Sequence, residues 1–202
     1  MTIEPVQLRT ADGLTLEGEL CVPDEVRAAA VLAHPHPLHG GNMRSIVIGA
    51  LFEGLPAAGV AALRFNFRGV GQSEGAHDDG RGERLDVVAA LDGLHAIVEG
   101  LPIVLAGWSF GADTALTVDD ERHCGWFAVA PPLRYAGESV AGTDTRPKLF
   151  AVPQHDQFRD PASAREVTSG WTNTRVEVVP GADHLLVGRT DHVVALALDF
   201  LS

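Results

Sequence analysis

A mainly parallel α/β fold, one sheet covered by helices on both faces behind an antiparallel start, is predicted by three observations. Short and nearly uninterrupted apolar runs recur along the chain, amphipathic stretches fall between them, and the first two extended segments alternate instead. Continuous apolar runs suit strands buried on both faces, whereas alternation suits a strand with one wet face.

Val6 to Thr10 alternates, Ala11-Asp12-Gly13 supplies turn chemistry, and Leu14 to Val22 alternates again before Pro23, which reads as a hairpin. The apolar runs are Ala28 to Ala33, Val60 to Phe67, Ile103 to Ala106, Phe127 to Ala130, Leu149 to Val152 and Val176 to Val179. Between them, Val87, Val88, Leu91, Leu94 and Val98 form one stripe at helical spacing, with Asp86, Asp92 and Glu99 off it. Val193, Val194, Ala197, Leu198 and Leu201 repeat that pattern, with Thr190 placed to cap it. Ile46 to Ala58 is a weaker helix, interrupted by Pro56 and closed by Gly59. Strands alternating with helices imply crossover connections and hence parallel pairing. Pro131 to Pro147, rich in Gly, Ser, Thr and Pro, is expected to be a loop, placed where a lid could be inserted but too short for a cap domain. With 202 residues and no internal repeat, linker or low-complexity segment, one domain over 1–202 is expected.

Composition excludes several function classes. Hydrophobic residues make up 46% and charged residues 21%, an ordinary globular balance. The net charge of −12 argues against nucleic acid, which needs clustered Lys and Arg, and against anionic membrane surfaces. No apolar run is long enough to span a bilayer, and no signal peptide is evident at Met-Thr-Ile-Glu-Pro. Cys21 and Cys124 make no disulfide framework and no C-x-x-C pair, which suits a cytoplasmic protein.

Gly107-Trp108-Ser109-Phe110-Gly111 follows the apolar strand Ile103 to Ala106 and precedes a helix expected from Ala112 onwards. A G-x-S-x-G segment needs this strand–turn–helix setting, because the serine must sit on a sharp, strained turn that lifts its hydroxyl clear of the sheet. Side chains two residues to either side would collide with the neighbouring strand and helix, so both positions are glycine. The backbone N–H of Phe110 would then face an oxyanion developing beside Ser109.

A serine hydroxyl is a poor nucleophile near neutral pH and needs a base. His184, in Pro180-Gly181-Ala182-Asp183-His184, lies just beyond the run Val176 to Val179, at the carboxyl end of the last strand, where open α/β sheets gather their functional groups. His155 and His192 are its rivals. The acid should follow the preceding strand, and Asp156 in Pro153-Gln154-His155-Asp156-Gln157-Phe158 is the best placed carboxylate to fix the imidazole tautomer. Asp160 reads as an N-cap ahead of Pro161, and Asp183, adjacent to His184, would point elsewhere.

His34-Pro35-His36-Pro37-Leu38-His39-Gly40-Gly41 follows the strand Ala28 to Ala33. Three close histidines invite a metal reading, but no carboxylate pattern or H-E-x-x-H helix accompanies them, and no metal is expected. This loop, the segment Leu63-Arg64-Phe65-Asn66-Phe67-Arg68-Gly69-Val70-Gly71-Gln72-Ser73-Glu74-Gly75, the Ser109 turn, Asp156 and His184 together resemble the α/β-hydrolase superfamily over essentially the whole chain. In particular the chain is similar to the small, capless group related to dienelactone hydrolase. The resemblance implies an eight-stranded sheet, the chain order Ser, Asp, His for a catalytic triad, and a second oxyanion donor in the loop after the third strand. His34-Pro35 stands where many relatives have His-Gly, so the donor would be His36 N–H; Pro35 and Pro37 cannot donate, which leaves Leu38 as the other candidate. The acid loop departs from the Gly-Asp common in relatives, and the elbow carries serine where dienelactone hydrolase itself uses cysteine, so that enzyme's own reaction is not implied. Arg68 to Gly75 reads as structural.

The expected function is serine-based cleavage of a small-molecule ester through an acyl-enzyme, with no cofactor. The alternatives are a catalytically silent binding protein on this fold, or a peptidase or thioesterase.

Overall fold

The computed structural model describes residues 2–135, 137 and 139–202. Its strands are β1 (Ile3–Arg9), β2 (Thr15–Cys21), β3 (Ala28–Ala33), β4 (Val60–Phe65), β5 (Ile103–Trp108), β6 (His123–Val129), β7 (Lys148–Pro153) and β8 (Thr174–Val179). The helices are α1 (Ile46–Gly54), α2 (Arg81–His95), α3 (Phe110–Ala115), α4 (Pro161–Val167) and α5 (Thr190–Phe200). The eight strands form one sheet in the order β1-β2-β4-β3-β5-β6-β7-β8. β1 pairs with β2, and β2 with β4, antiparallel; every other pairing is parallel. The eight-stranded, mainly parallel sheet with an antiparallel start is therefore as the sequence predicts.

Every residue of β3, β4, β5 and β7 is buried, which is why these strands read as continuous apolar runs. Their side chains alternate between two cores. Val31, Leu63, Leu105 and Phe150 pack with Val87, Leu91 and Leu94 of α2, Ala112 of α3 and Ala164 of α4. Leu32, Ala62, Val104 and Leu149 pack on the opposite face with Ile48 and Leu51 of α1 and Val193 and Ala197 of α5. Connectivity explains the division. The chain steps from β3 to β4 in one direction and from β4 past β3 to β5 in the other. Right-handed crossovers then send α1 to one face and α2 to the other. The C-terminal ends of β3 and β5 flank the point where the order reverses, and a crevice opens there.

Local expectations are met at several points. α1 ends at Gly54, a 3-10 turn covers Pro56–Ala58, and Gly59 at φ 78° closes it. Asp160 caps α4, its side chain accepting from Ser163 N at 2.9 Å. Thr190, however, does not cap α5. The turn Leu186 to Arg189 enters the helix directly, so Arg189 is the boundary residue and Thr190 is already helical, with no side-chain cap bond. In the expected loop from Pro131 to Pro147, a 3-10 turn forms at Val140–Gly142, and Ala136 and Glu138 lie outside the described residues.

Asp86 also departs from the sequence reading. It is fully buried instead of lying on a polar face, because Arg68 meets it with Nη2 2.7 Å from Oδ1 and Nε 3.0 Å from the same oxygen. Asp86 Oδ2 accepts Arg68 N at 2.9 Å, and Asp12 Oδ2 lies 2.9 Å from Arg68 Nη1. This network fastens the hairpin and the segment after β4 to α2, as the structural reading of Arg68 to Gly75 requires. Asp86→Ala should lower unfolding free energy by about 3 kcal/mol or more, since it leaves a buried guanidinium with one partially exposed partner. Urea denaturation checks this, and a loss below about 1 kcal/mol would contradict it.

Candidate active site

Ser109 follows β5 and carries φ 56°, ψ −118°, a backbone conformation that side-chain-bearing residues seldom adopt. Two close approaches hold this turn. A Cβ on Gly107 would lie 2.4 Å from Gly111 C, and one on Gly111 would lie 2.3 Å from Ala33 O. Glycine is thus required at both positions by helix and neighbouring strand, as the motif suggests. Ser109 N donates to Val129 O of β6 at 2.8 Å, pinning the turn across the sheet.

His184 and Asp156 reach the same point from the ends of β8 and β7. His184 Nε2 lies 2.9 Å from Ser109 Oγ, and Nδ1 lies 2.8 Å from Asp156 Oδ2. A carboxylate only accepts, so Nδ1 carries the proton and Nε2 is free to accept from the serine hydroxyl. Asp156 Oδ1 accepts from Phe158 N at 2.8 Å and Arg159 N at 3.2 Å, which orients the buried carboxylate. The rivals lie elsewhere: His155 and His192 are exposed, and the exposed Asp183 accepts from Leu185 N at 3.0 Å. The line of three groups can move a proton from hydroxyl to imidazole while the carboxylate balances the resulting charge.

The loop after β3 folds onto itself. Gly41 N donates to His36 O at 3.1 Å, and a Cβ on Gly41 would stand 2.1 Å from Pro35 O, so this glycine serves the loop's own closure. His34 is buried: its Nε2 accepts from Phe67 N at 3.1 Å and its Nδ1 donates to Pro35 O at 2.6 Å. Burial holds its pKa down to about 4 against the raising effect of that bond, so the ring is a neutral structural tie and offers no lone pair to a metal. Leu38 N donates to His36 Nδ1 at 3.2 Å, and Leu38 is 71% exposed. His36, in contrast, lines the cavity beside Ser109 together with Phe110. Of the two residues whose N–H groups the sequence leaves open, His36 is therefore the one that lines the cavity. The His36 and Phe110 rings meet at 4.9 Å between centroids.

The cavity measures about 410 Å³ and is walled by Pro35, Trp108, Phe110, Pro132, Phe158 and Leu185 around Ser109 and His184, with Arg134 and Gln157 also lining it. Such a volume with mostly apolar walls suits a small organic ligand. Trp108 contributes a wall and a tether, its Nε1 donating to His184 O at 3.2 Å. Trp126 and Trp171 belong to the packing around the sheet instead.

Asp113 is a site residue that sequence reasoning missed. Buried one helical turn after Ser109, it accepts from Leu133 N and Arg134 N, both at 2.9 Å, and so ties the loop after β6 to α3. Burial pushes its carboxyl up to about 6, against the opposing effect of those bonds. Its signal was an aspartate among Ala112, Thr114 and Ala115, an acid set in an otherwise core-like segment.

No protein-family model matches the chain. An uncharacterized protein of Rickettsia prowazekii is 29% identical over 186 residues, covering 85% of this chain and 77% of that protein. A solved α/β serine hydrolase homologue from Coxiella burnetii is 31% identical, with 100% of this chain and 99% of that chain covered and a TM-score of 0.90. An α/β serine hydrolase without a lid, from Xanthomonas campestris, is 24% identical, covers 100% of this chain and 94% of its own, and has a TM-score of 0.87. At that identity the second structure attests the fold.

Proposed function

From the premise that the chain belongs to the α/β serine hydrolases, in the small lidless group, we propose that it hydrolyses small-molecule esters, with Ser109 as nucleophile, His184 as base and Asp156 as its orienting acid. One observation carries this reading: Ser109 Oγ, the His184 ring and the Asp156 carboxylate stand in hydrogen-bond contact, at 2.9 and 2.8 Å, beside an apolar cavity.

In this mechanism Ser109 Oγ attacks the ester carbonyl carbon while its proton passes to His184 Nε2. The carbonyl π pair moves onto oxygen, and the N–H groups of Phe110 and His36 stabilise that oxyanion. Collapse expels the alkoxide, which takes the proton from His184, leaving an acyl-serine. Water, deprotonated by the same imidazole, attacks the acyl carbon and releases the acid with regeneration of Ser109. Every group in the cycle belongs to the chain, so no cofactor enters. The free thiols of Cys21 and Cys124 suit action in the reducing cytoplasm.

A fluorophosphonate probe should label wild type and not Ser109→Ala. A panel of 4-nitrophenyl esters, read with purified protein, should show turnover that is highest for short and medium acyl chains and declines for long ones. Labelling without turnover of any ester, alongside hydrolysis of aminoacyl amides or acyl thioesters, would reassign the substrate to a peptidase or thioesterase class. Absence of labelling in folded protein would leave a binding module.

A further inference from the structure

Behind the two proposed oxyanion donors sits a histidine that the mechanism above does not use. His77 lies in the segment joining β4 to α2, and its side chain is only 8% exposed. Its ring meets the His36 ring at 4.8 Å and the Phe110 ring at 5.4 Å between centroids. With the 4.9 Å contact between His36 and Phe110, the three rings close a triangle. Two of its corners belong to the residues whose backbone N–H groups would receive the oxyanion, and they come from separate elements, the loop after β3 and the first turn of α3.

Something also holds the third corner. Glu83, fully buried in the first turn of α2, accepts from Asp78 N at 3.0 Å and Gly80 N at 2.9 Å, which sets the backbone just after His77. Its Oε1 also lies 2.7 Å from His77 Nδ1, while Asp79 Oδ1 stands 3.4 Å from Nε2. Neither ring nitrogen meets hydrogen-bond geometry among the described residues, so packing, not directed bonds, seats the imidazole. Oxyanion stabilisation depends on donor placement to within a few tenths of an ångström, and a displacement of about 1 Å can lower rates by about a hundredfold.

We propose that His77, seated against Glu83, is a positioning residue that sets the spacing between the His36 and Phe110 N–H groups. It touches neither substrate nor reacting atoms; its flat ring buttresses the touching rings of His36 and Phe110, the two residues whose backbone N–H groups are the donors. This rests on the esterase reading.

The test compares wild type, His77→Ala and His77→Phe with 4-nitrophenyl butyrate, each rate normalised to the sites labelled by fluorophosphonate. An alkyl trifluoromethyl ketone, which forms a tetrahedral adduct with serine, reports on oxyanion binding separately. His77→Ala should lower kcat about 10- to 100-fold with KM within about threefold, and should weaken the ketone by about the same factor as kcat/KM. His77→Phe, which keeps a flat ring, should recover kcat to within about threefold of wild type. If His77→Ala does not fold, His77→Leu, which fills space without a flat face, stands in for it. Wild-type kcat per labelled site in the Ala or Leu variant overturns the inference, as does a loss of kcat with unchanged ketone affinity. An inactive, unlabelled wild type fails the esterase reading and this inference together, whereas an active wild type with an equally active His77→Ala fails this inference alone.

Discussion

Ser109→Ala is expected to lower kcat for 4-nitrophenyl butyrate by roughly four to six orders of magnitude, with thermal unfolding nearly unchanged. The size follows from what the hydroxyl does: without Oγ no acyl-enzyme forms, and only binding and oxyanion stabilisation remain to assist water. The small effect on folding follows from the local structure. Ser109 Oγ bonds only His184 Nε2 among the described residues, and the turn is held by Ser109 N, Gly107 and Gly111, none of which the substitution touches. Initial rates and a thermal melt on one preparation test both halves. A rate within tenfold of wild type would remove Ser109 from the mechanism, whatever the melt shows.

Asp156→Asn should lower kcat by roughly three to four orders of magnitude through the tautomer of His184. The direction is set by the surroundings of the carboxylate. Oδ1 already accepts from Phe158 N and Arg159 N, so an asparagine here would turn its carbonyl oxygen to those donors and its amino group to His184 Nδ1. The imidazole would then accept at Nδ1 and carry its proton on Nε2, facing Ser109 Oγ with a donor where an acceptor is needed. Steady-state rates with the same ester check this, and a variant within tenfold of wild type would move the acid role to another carboxylate. Asp113 is poorly suited to inherit it, since its oxygens receive Leu133 N and Arg134 N.

The parts of this molecule that were legible in advance are those whose causes lie close together in the chain. β3 reads as a strand from Ala28 to Ala33 because burial on both faces removes every polar residue from it. The Ser109 turn reads from five residues because the collisions that demand Gly107 and Gly111 are local in sequence. Asp156 and His184 were found by their distance past two apolar runs, which a parallel sheet converts into shared placement at one edge. What was missed depends on partners far along the chain. Asp86 looked like a surface acid because Arg68, 18 residues earlier, buries it. The start of β6 at His123 was hidden because a histidine, a cysteine and a glycine precede the apolar run, and the parallel pairing of Ile103 with His123 extends the strand through them. That Leu38 N is taken up by His36 Nδ1, while His36 lines the cavity, is a detail that no spacing rule foretells. The neighbours of His77 are likewise a product of tertiary packing.

Between β6 and β7 the described residues form no α-helix or strand beyond the short 3-10 turn, and the cavity is lined in part by Phe158 and Leu185, which are 51% and 55% exposed. An acyl group carried on Ser109 would thus lie in a cavity whose walls reach solvent. Water would outnumber any dissolved alcohol or amine there, so on the proposed mechanism deacylation is expected to end in the free acid and not in transfer to a second organic acceptor. On the proposed mechanism, bond-making at the acyl carbon, and not product departure, is expected to set the pace of turnover.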